Sequence, residues 1–363
     1  MKHIYFTVTN DLVFDQRMHR ICSSLANSHY RITLVGRKVK TSLPLEIKSY
    51  NQKRLKCWFK KGFFFYAEFN VRLFLFLLFQ RADAICAIDL DTIIPCLVVS
   101  ALKQIPRVYD AHEFFTEMKE VRKRGLVKTV WTNVGRFVVP RFKYCYTVSN
   151  GLANELGKKY KRSFQVIRNL PYRKVMMSNT QKKQYLFYGG AVNEARGLEY
   201  LIPAMKAIPF KLIICGDGNF MDQLRLLIIK HQVHDRVELK GMVPPEELHV
   251  FAQEALLGFN LVEKEGLNQY YSLANKFFDY IQAGLPQITM NFPEYAAVNK
   301  ESEVAVLIDE LSEESLQAVI NKTVRDSFLL ERLYNNTLKA KEVYCWEKEE
   351  PNLIEIYKQI FES

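Results

Sequence analysis

What most constrains this chain is an alternation, run through twice, of short apolar stretches with segments of helical period. Residues 4–8, 31–35, 84–87, 107–110 and 144–148 read as buried strands. Residues 15–27, between the first two, read as a helix with Met18, Ile21, Cys22 and Leu25 at three-to-four spacing. The pattern restarts with strands at 184–188, 211–215, 237–240, 258–261 and 286–290 and helices at 197–207, 219–231 and 275–283. Strands that are apolar along their whole length and separated by helices call for a parallel sheet covered on both faces. Two such series in 363 residues fit two domains of ordinary size. Asn169 and Pro171 punctuate the junction. The expected organisation is therefore an α/β chain with one Rossmann-like domain over 1–168 and a second over 169–344. Ligands of such sheets sit outside the carboxyl ends of the strands, so two facing domains would make a cleft.

Seven cysteines are scattered with no C-x-x-C pair, which argues against a disulfide scaffold or a structural zinc site and fits a reducing cytosol. The N-terminal residues lead straight into a strand and do not read as a signal peptide. The most apolar stretch, 63–79, is interrupted by Glu68, Asn70 and Arg72. Its longest clean run is seven residues, whereas a spanning helix needs about 20.

Charge is uneven. Residues 1–170 hold 30 Lys and Arg against 12 Asp and Glu, and the remainder hold 21 against 27. The basic half points to an anionic partner. Its densest part is Lys53, Arg54, Lys56, Lys60 and Lys61 around Trp58, followed by Phe63, Phe64 and Phe65. Cations interleaved with aromatics suit a membrane surface, favoured here over single-stranded nucleic acid. The bland alternative is a solvated helix face with core aromatics.

Three segments of the second half carry chemistry. Gly189-Gly190 and Gly216-Asp217-Gly218 each follow a strand and let backbone approach a ligand. Neither is G-x-G-x-x-G, which disfavours a dinucleotide cofactor. The third runs from the loop at Glu263 into Ser272-Leu273-Ala274-Asn275-Lys276, with Gly284 as the stop. Ser272 reads as the N-cap, the free amides of Leu273, Ala274 and Asn275 as an anion site, and Lys276 as a charge beside it. Asp279, one turn beyond Asn275, places a hydroxyl-binding carboxylate next to a phosphate site. A capped amphipathic helix with Phe277, Tyr280 and Ile281 in the core would explain the aromatics but not the Asn-Lys start.

The segment from Ser272 to Tyr280 resembles the S-L-P-N-K-x-F-E-Y signature of a bacterial subgroup of the family-4 glycosyltransferases, with Ala274 for the proline and Asp279 for the glutamate. The stretch from Gly189 to Gly197, through Asn193 and Arg196, resembles that family's G-x-x-x-x-x-[KR]-G segment, although Ala191 stands where a G-R turn is usual. Asp89-Leu90-Asp91 and Asp110-Ala111-His112-Glu113 resemble its first-domain loops. Tyr271 occupies the place of the first Glu in the common Glu-x7-Glu pattern. The resemblance implies the GT-B fold, with a C-terminal helix over about 345–363 crossing back to the first domain. It also implies sugar transfer from a nucleotide-diphosphate sugar, UDP or GDP, with retention at the anomeric carbon, to a glycan or lipid-linked acceptor.

On that reading His112, Arg196 and Lys276 are the candidate catalytic residues, Arg196 and Lys276 steadying the leaving diphosphate. Gly189, Gly190, Asn193, Gly216, Gly218, Ser272, Leu273, Ala274, Asn275 and Asp279 would hold the donor. Asp11, Arg17, Asp89, Asp91 and Glu113 would line the acceptor side, and Lys53, Arg54, Lys56, Trp58, Lys60 and Lys61 would face the inner surface of the cytoplasmic membrane. Asp89-x-Asp91 is a lone Asp-x-Asp away from the phosphate site, so no metal is expected, and no cofactor or nucleic-acid partner. The expected protein is cytoplasmic and peripherally membrane-associated, active in making cell-surface polysaccharide or glycolipid. An epimerase of the same fold would need no basic acceptor surface. A non-catalytic membrane- or polymer-binding subunit is the reading that Tyr271 favours.

Overall fold

Seven parallel strands, β1 (His3–Thr7), β2 (Arg31–Lys38), β3 (Asn51–Lys56), β4 (Ala84–Ile88), β5 (Arg107–Ala111), β6 (Tyr144–Thr147) and β7 (Gln165–Val166), form the first sheet of the computed structural model, in the order β3-β2-β1-β4-β5-β6-β7. The structure describes residues 1–176 and 182–362. It divides into a unit of Met1–Asn169 with Glu349–Ser363 and a unit of Leu170–Lys348.

β4, Ala-Ile-Cys-Ala-Ile, is buried at every residue because helices cover both faces. The helix Gln16–Asn27 turns Met18, Ile21, Cys22 and Leu25 into that core, and the Asp15 carboxylate caps it by accepting the Met18 amide at 3.0 Å. All the strands run parallel, and the strand order switches between β1 and β4, the place at which sheets of this kind take their ligands.

β3 is a departure from the sequence reading. Its exposed, lysine-rich pattern hides it among solvated segments, yet it pairs with β2 over Thr33–Lys38. Polar, charged residues suit an edge strand, where they block pairing with another chain.

The helix Trp346–Glu362 returns to the first unit. There the Tyr357 hydroxyl lies 3.3 Å from that of Tyr146, and the Tyr357 ring lies 5.8 Å from that of Phe6. Glu349 pairs with Arg168 at 3.1 Å. The crossing C-terminal helix expected from the sequence is present.

The second unit has six parallel strands, β8 (Tyr185–Gly189), β9 (Lys211–Cys215), β10 (Val237–Gly241), β11 (Leu257–Asn260), β12 (Gln287–Met290) and β13 (Ala305–Ile308), in the order β10-β9-β8-β11-β12-β13. The strand order switches between β8 and β11. Its core joins Leu186, Tyr188, Ile214 and Phe259 of the sheet to Leu201, Leu224, Phe277 and Ile281 of the helices. Among the described residues, no helix is long and apolar enough to cross a membrane.

Candidate functional site

 

In the second unit the two glycine turns close onto one another at the carboxyl ends of β8 and β9. Gly190 N–H donates to the Cys215 carbonyl at 2.9 Å and Val192 N–H to the Asp217 carbonyl at 3.0 Å. The approach is so close that a Cβ on Gly216 would lie 1.8 Å from the Gly190 oxygen, and Gly216 holds φ +147°, a conformation open only to glycine. Asn193 ties the turns together: its side-chain oxygen accepts the Asn219 amide at 3.0 Å.

The loop after the first of these turns brings Arg196 to Lys276. Ala195 and Gly197 on either side of Arg196 have φ +61° and +73°, so the loop is sharply bent there. The Lys276 ammonium stands 3.4 Å from the centre of the Tyr188 ring, and its Cε would lie 3.4 Å from a Cβ on Gly190. Burial, and then the neighbouring Arg196 guanidinium, holds the Lys276 ammonium well below the ordinary lysine range. Neither cation pairs with a carboxylate among the described residues. Two half-buried cations placed side by side repel one another, and an anion between them relieves that cost.

The helix carrying Lys276 differs at its start from the sequence reading. It runs Asn275–Gln282 with Ala274 as N-cap, and Ser272 is no cap: its hydroxyl donates to the Gln269 carbonyl at 2.9 Å. The Ala274 amide is not free either, since it donates to the Tyr295 hydroxyl at 3.1 Å. Leu273 packs on the core, and the Gly189 amide is taken by the Tyr280 hydroxyl at 3.0 Å. Asn275 is exposed and Asp279 half-buried one turn on. Gly284, at φ +63°, ends the segment as expected. What the sequence reading missed is Tyr188, the ring beneath Lys276; its one local signal is its place directly before Gly189-Gly190.

In the first unit the loops after β1, β4 and β5 gather a second cluster. The Thr9 hydroxyl donates to Asp91 at 2.5 Å, joining the loops after β1 and β4. Asp89, at φ +55°, accepts the His112 amide at 2.9 Å. Asp110 receives the Arg17 guanidinium on one oxygen at 3.1 Å and His112 Nε2 on the other at 3.0 Å. Arg17 was expected to line the acceptor side. It is only 5% exposed, held between Asp110 and the Ile167 carbonyl, so it supports the site from beneath. Asp11 accepts the Val13 amide at 3.3 Å in its own loop, and Glu113 is half-buried beside His112.

Burial pushes the Asp89 carboxyl up to about 8 and the Asp91 carboxyl up to about 6. Asp110 goes the other way: against the cost of burial, Arg17 and His112 hold it below the usual carboxylate range. His112 is raised by Asp110 even though burial favours the neutral ring. Asp89 supplies a test. Its folded-state value lies above its ordinary 3.8, so the native protein keeps a proton that the unfolded chain loses. Stability from this group therefore falls as pH rises from about 4 to about 8, by ~1.4 kcal/mol per pH unit. Asp89→Asn keeps the acceptor for the His112 amide and tolerates the backbone conformation. Urea midpoints measured at pH 5 and pH 7.5 should differ less in the variant than in the parent; an unchanged difference would refute the assignment.

The charged surface lies on the same unit. Lys53, Lys56, Lys60 and Lys61 are exposed, and Arg54 is half-buried with its guanidinium on the Leu43 carbonyl at 2.8 Å. Trp58 is 84% and Phe63 78% exposed. The Glu68 carboxylate accepts the amides of Trp58 and Phe59, and Arg72 stacks on the Trp58 ring at 4.8 Å. Phe65, grouped with them in the sequence reading, is buried, with Arg37 over its ring at 4.4 Å.

Residues 172–340 match the family described as Glycosyl transferases group 1. That segment contains both glycine turns, Arg196 and the Lys276 helix. An uncharacterised glycosyltransferase from Methanocaldococcus jannaschii is 22% identical over 234 residues, a match that spans 60% of this chain and 62% of that protein. Among solved structures, sucrose-phosphate synthase from Thermosynechococcus elongatus superposes with a TM-score of 0.82 at 14% identity, covering 99% of each chain. WaaG, a glycosyltransferase involved in lipopolysaccharide biosynthesis, gives 0.71 at 15% identity over 96% of this chain and 99% of its own. HepE from Anabaena, solved in complex with UDP-glucose, gives 0.70 at 13% identity over 100% and 99%. Both Rossmann-like sheets therefore belong to a GT-B glycosyltransferase fold.

Proposed function

We propose that this chain is a metal-independent, retaining glycosyltransferase. It transfers a sugar from a UDP- or GDP-sugar to a glycan or lipid-linked acceptor at the inner face of the cytoplasmic membrane, in the synthesis of cell-surface polysaccharide or glycolipid. The observation that carries the reading is the Arg196–Lys276 pair over Tyr188, set at the carboxyl ends of the strands in the segment that matches the glycosyltransferase family. A nucleoside diphosphate is the leaving group whose charge two such cations would stabilise, doing the work a divalent ion does elsewhere. HepE, solved with UDP-glucose, supports a nucleotide sugar as the donor. The second unit would hold the donor and the basic first unit the acceptor. Retention by a front-face route asks for positioning and charge stabilisation rather than a protein nucleophile.

The test is turnover. The full chain is incubated with a panel of UDP- and GDP-sugars and glycan or lipid acceptors, and release of nucleoside diphosphate is followed. One donor should be consumed in an acceptor-dependent way, and proton NMR of the first product should show the donor's anomeric configuration. Epimer formation, or no turnover with any donor, would overturn the reading, and an inverted linkage would end the retaining assignment.

Membrane association rests on the surface described above. The helices Gly62–Leu78 and Gly125–Val138 touch through Tyr66 and Trp131, whose rings lie 5.6 Å apart, and the second helix adds exposed Leu126, Val130 and Phe137. Apolar side chains with surrounding cations are suited to an anionic bilayer, each cation contributing about 1 kcal/mol near the surface. Co-sedimentation with liposomes should need anionic lipid and weaken at high salt. Equal binding to neutral liposomes, or none, would contradict this.

A further inference from the structure

We propose that Arg17 is a positioning residue for His112, acting through Asp110: the buried Arg17–Asp110 pair fixes the imidazole by its Nε2 edge and leaves Nδ1 as the edge offered to a ligand. The contacts run in one line. Arg17 reaches from the helix Gln16–Asn27, with one nitrogen on the Ile167 carbonyl and another 3.1 Å from Asp110. The second Asp110 oxygen meets His112 Nε2 at 3.0 Å, and Asp110 has no exposure to water. The His112 backbone is pinned separately by Asp89. Among the described residues Nδ1 makes no hydrogen bond, and the His112 side chain keeps 19% exposure.

An ionised carboxylate only accepts hydrogen bonds, so Asp110 requires the proton on Nε2. Neutral His112 is then the Nε2–H tautomer with Nδ1 as an acceptor, and protonated His112 presents Nδ1–H as a charged donor. Burial alone would drive Asp110 toward its neutral form, in which it could donate instead, and Arg17 prevents this. The charged and titratable groups facing His112 are Asp110 from β5, Arg17 from the first helix, Asp89 and Asp91 from the loop after β4, and Glu113 beside it. The carboxylates favour the imidazolium and Arg17 opposes it directly, so the same arginine that fixes the tautomer also limits how far the value rises.

Ring nitrogen-15 NMR of the full chain reads both tautomer and titration, with His112 assigned by the signal missing in His112→Gln. In the parent, His112 should titrate above 6.5 and above that value carry its proton on Nε2. Asp110→Asn offers an amide that can donate to Nε2, so the tautomer should shift toward Nδ1–H and the titration fall below 6.5. Arg17→Lys should preserve the parental tautomer and Arg17→Met should not. Should either single variant fail to fold, Arg17→Met/Asp110→Asn removes both buried charges together and should release His112 in the same way. An unchanged tautomer and titration in Asp110→Asn, or in the double variant, would overturn the proposal.

Turnover supplies a second readout, which rests on the glycosyltransferase reading. Asp110→Asn should lower kcat by 10-fold or more and shift its pH profile while donor affinity is kept. If the NMR changes appear in a protein that turns over no nucleotide sugar, the functional reading fails and the positioning role stands.

Discussion

Lys276→Ala and Arg196→Ala are each expected to lower donor-dependent transfer by about 10²–10³-fold, some 2.7–4 kcal/mol of transition-state stabilisation, with the fold intact. Each removes one of the two cations assembled beside Tyr188. Neither takes part in a salt bridge that the fold needs, so thermal unfolding should change little. Arg196→Ala should also release the restraint on Lys276, whose ionisation would return toward the ordinary lysine range. Asp279→Asn should mainly weaken nucleotide binding and leave kcat close to parental, because in the proposed site its carboxylate would meet a hydroxyl rather than the departing phosphate. Steady-state kinetics with the preferred donor separates these cases. Parental turnover in both cation variants would show that the diphosphate binds elsewhere.

Gly216→Ala is expected to be the most destabilising single methyl in the second unit. At φ +147° a side chain costs on the order of 1–3 kcal/mol in backbone strain. The new carbon would also stand 1.8 Å from the Gly190 oxygen. Relieving that contact requires the two glycine turns to part, a further cost of about 1–3 kcal/mol. Gly241→Ala is the matched control, because Gly241 has φ +68° with nothing within 4 Å of a Cβ. Urea unfolding should place Gly216→Ala well below Gly241→Ala in midpoint. Equal midpoints would mean that the turns do not pack as described.

The sequence made the two parallel sheets legible because their central strands are apolar along their length, a pattern that only a doubly covered sheet accommodates. Strands at the margins were harder to read. β3 carries Lys53, Arg54 and Lys56 because an edge is wet, and β7 is only two residues long. In the site, residues close together in sequence were placed well: Gly189 with Gly190, and Lys276 at a helix start. Partners far apart were not. Tyr188 beneath Lys276 and Arg17 against Asp110 are pairs far apart in sequence that meet only through the fold. Ser272 shows the opposite error. A local capping rule favoured it, but the Gln269 carbonyl took its hydroxyl and the Tyr295 hydroxyl took the Ala274 amide.

The central claim is that the Arg196–Lys276 face of the second unit binds a nucleoside diphosphate. Calorimetric titration of the full chain with UDP and with GDP tests it most directly. One of the two should bind at a single site, and binding should be severely weakened in Lys276→Ala and in Arg196→Ala. Absence of binding by both nucleotides, or binding as strong in Lys276→Ala and Arg196→Ala as in the parent, would contradict the account.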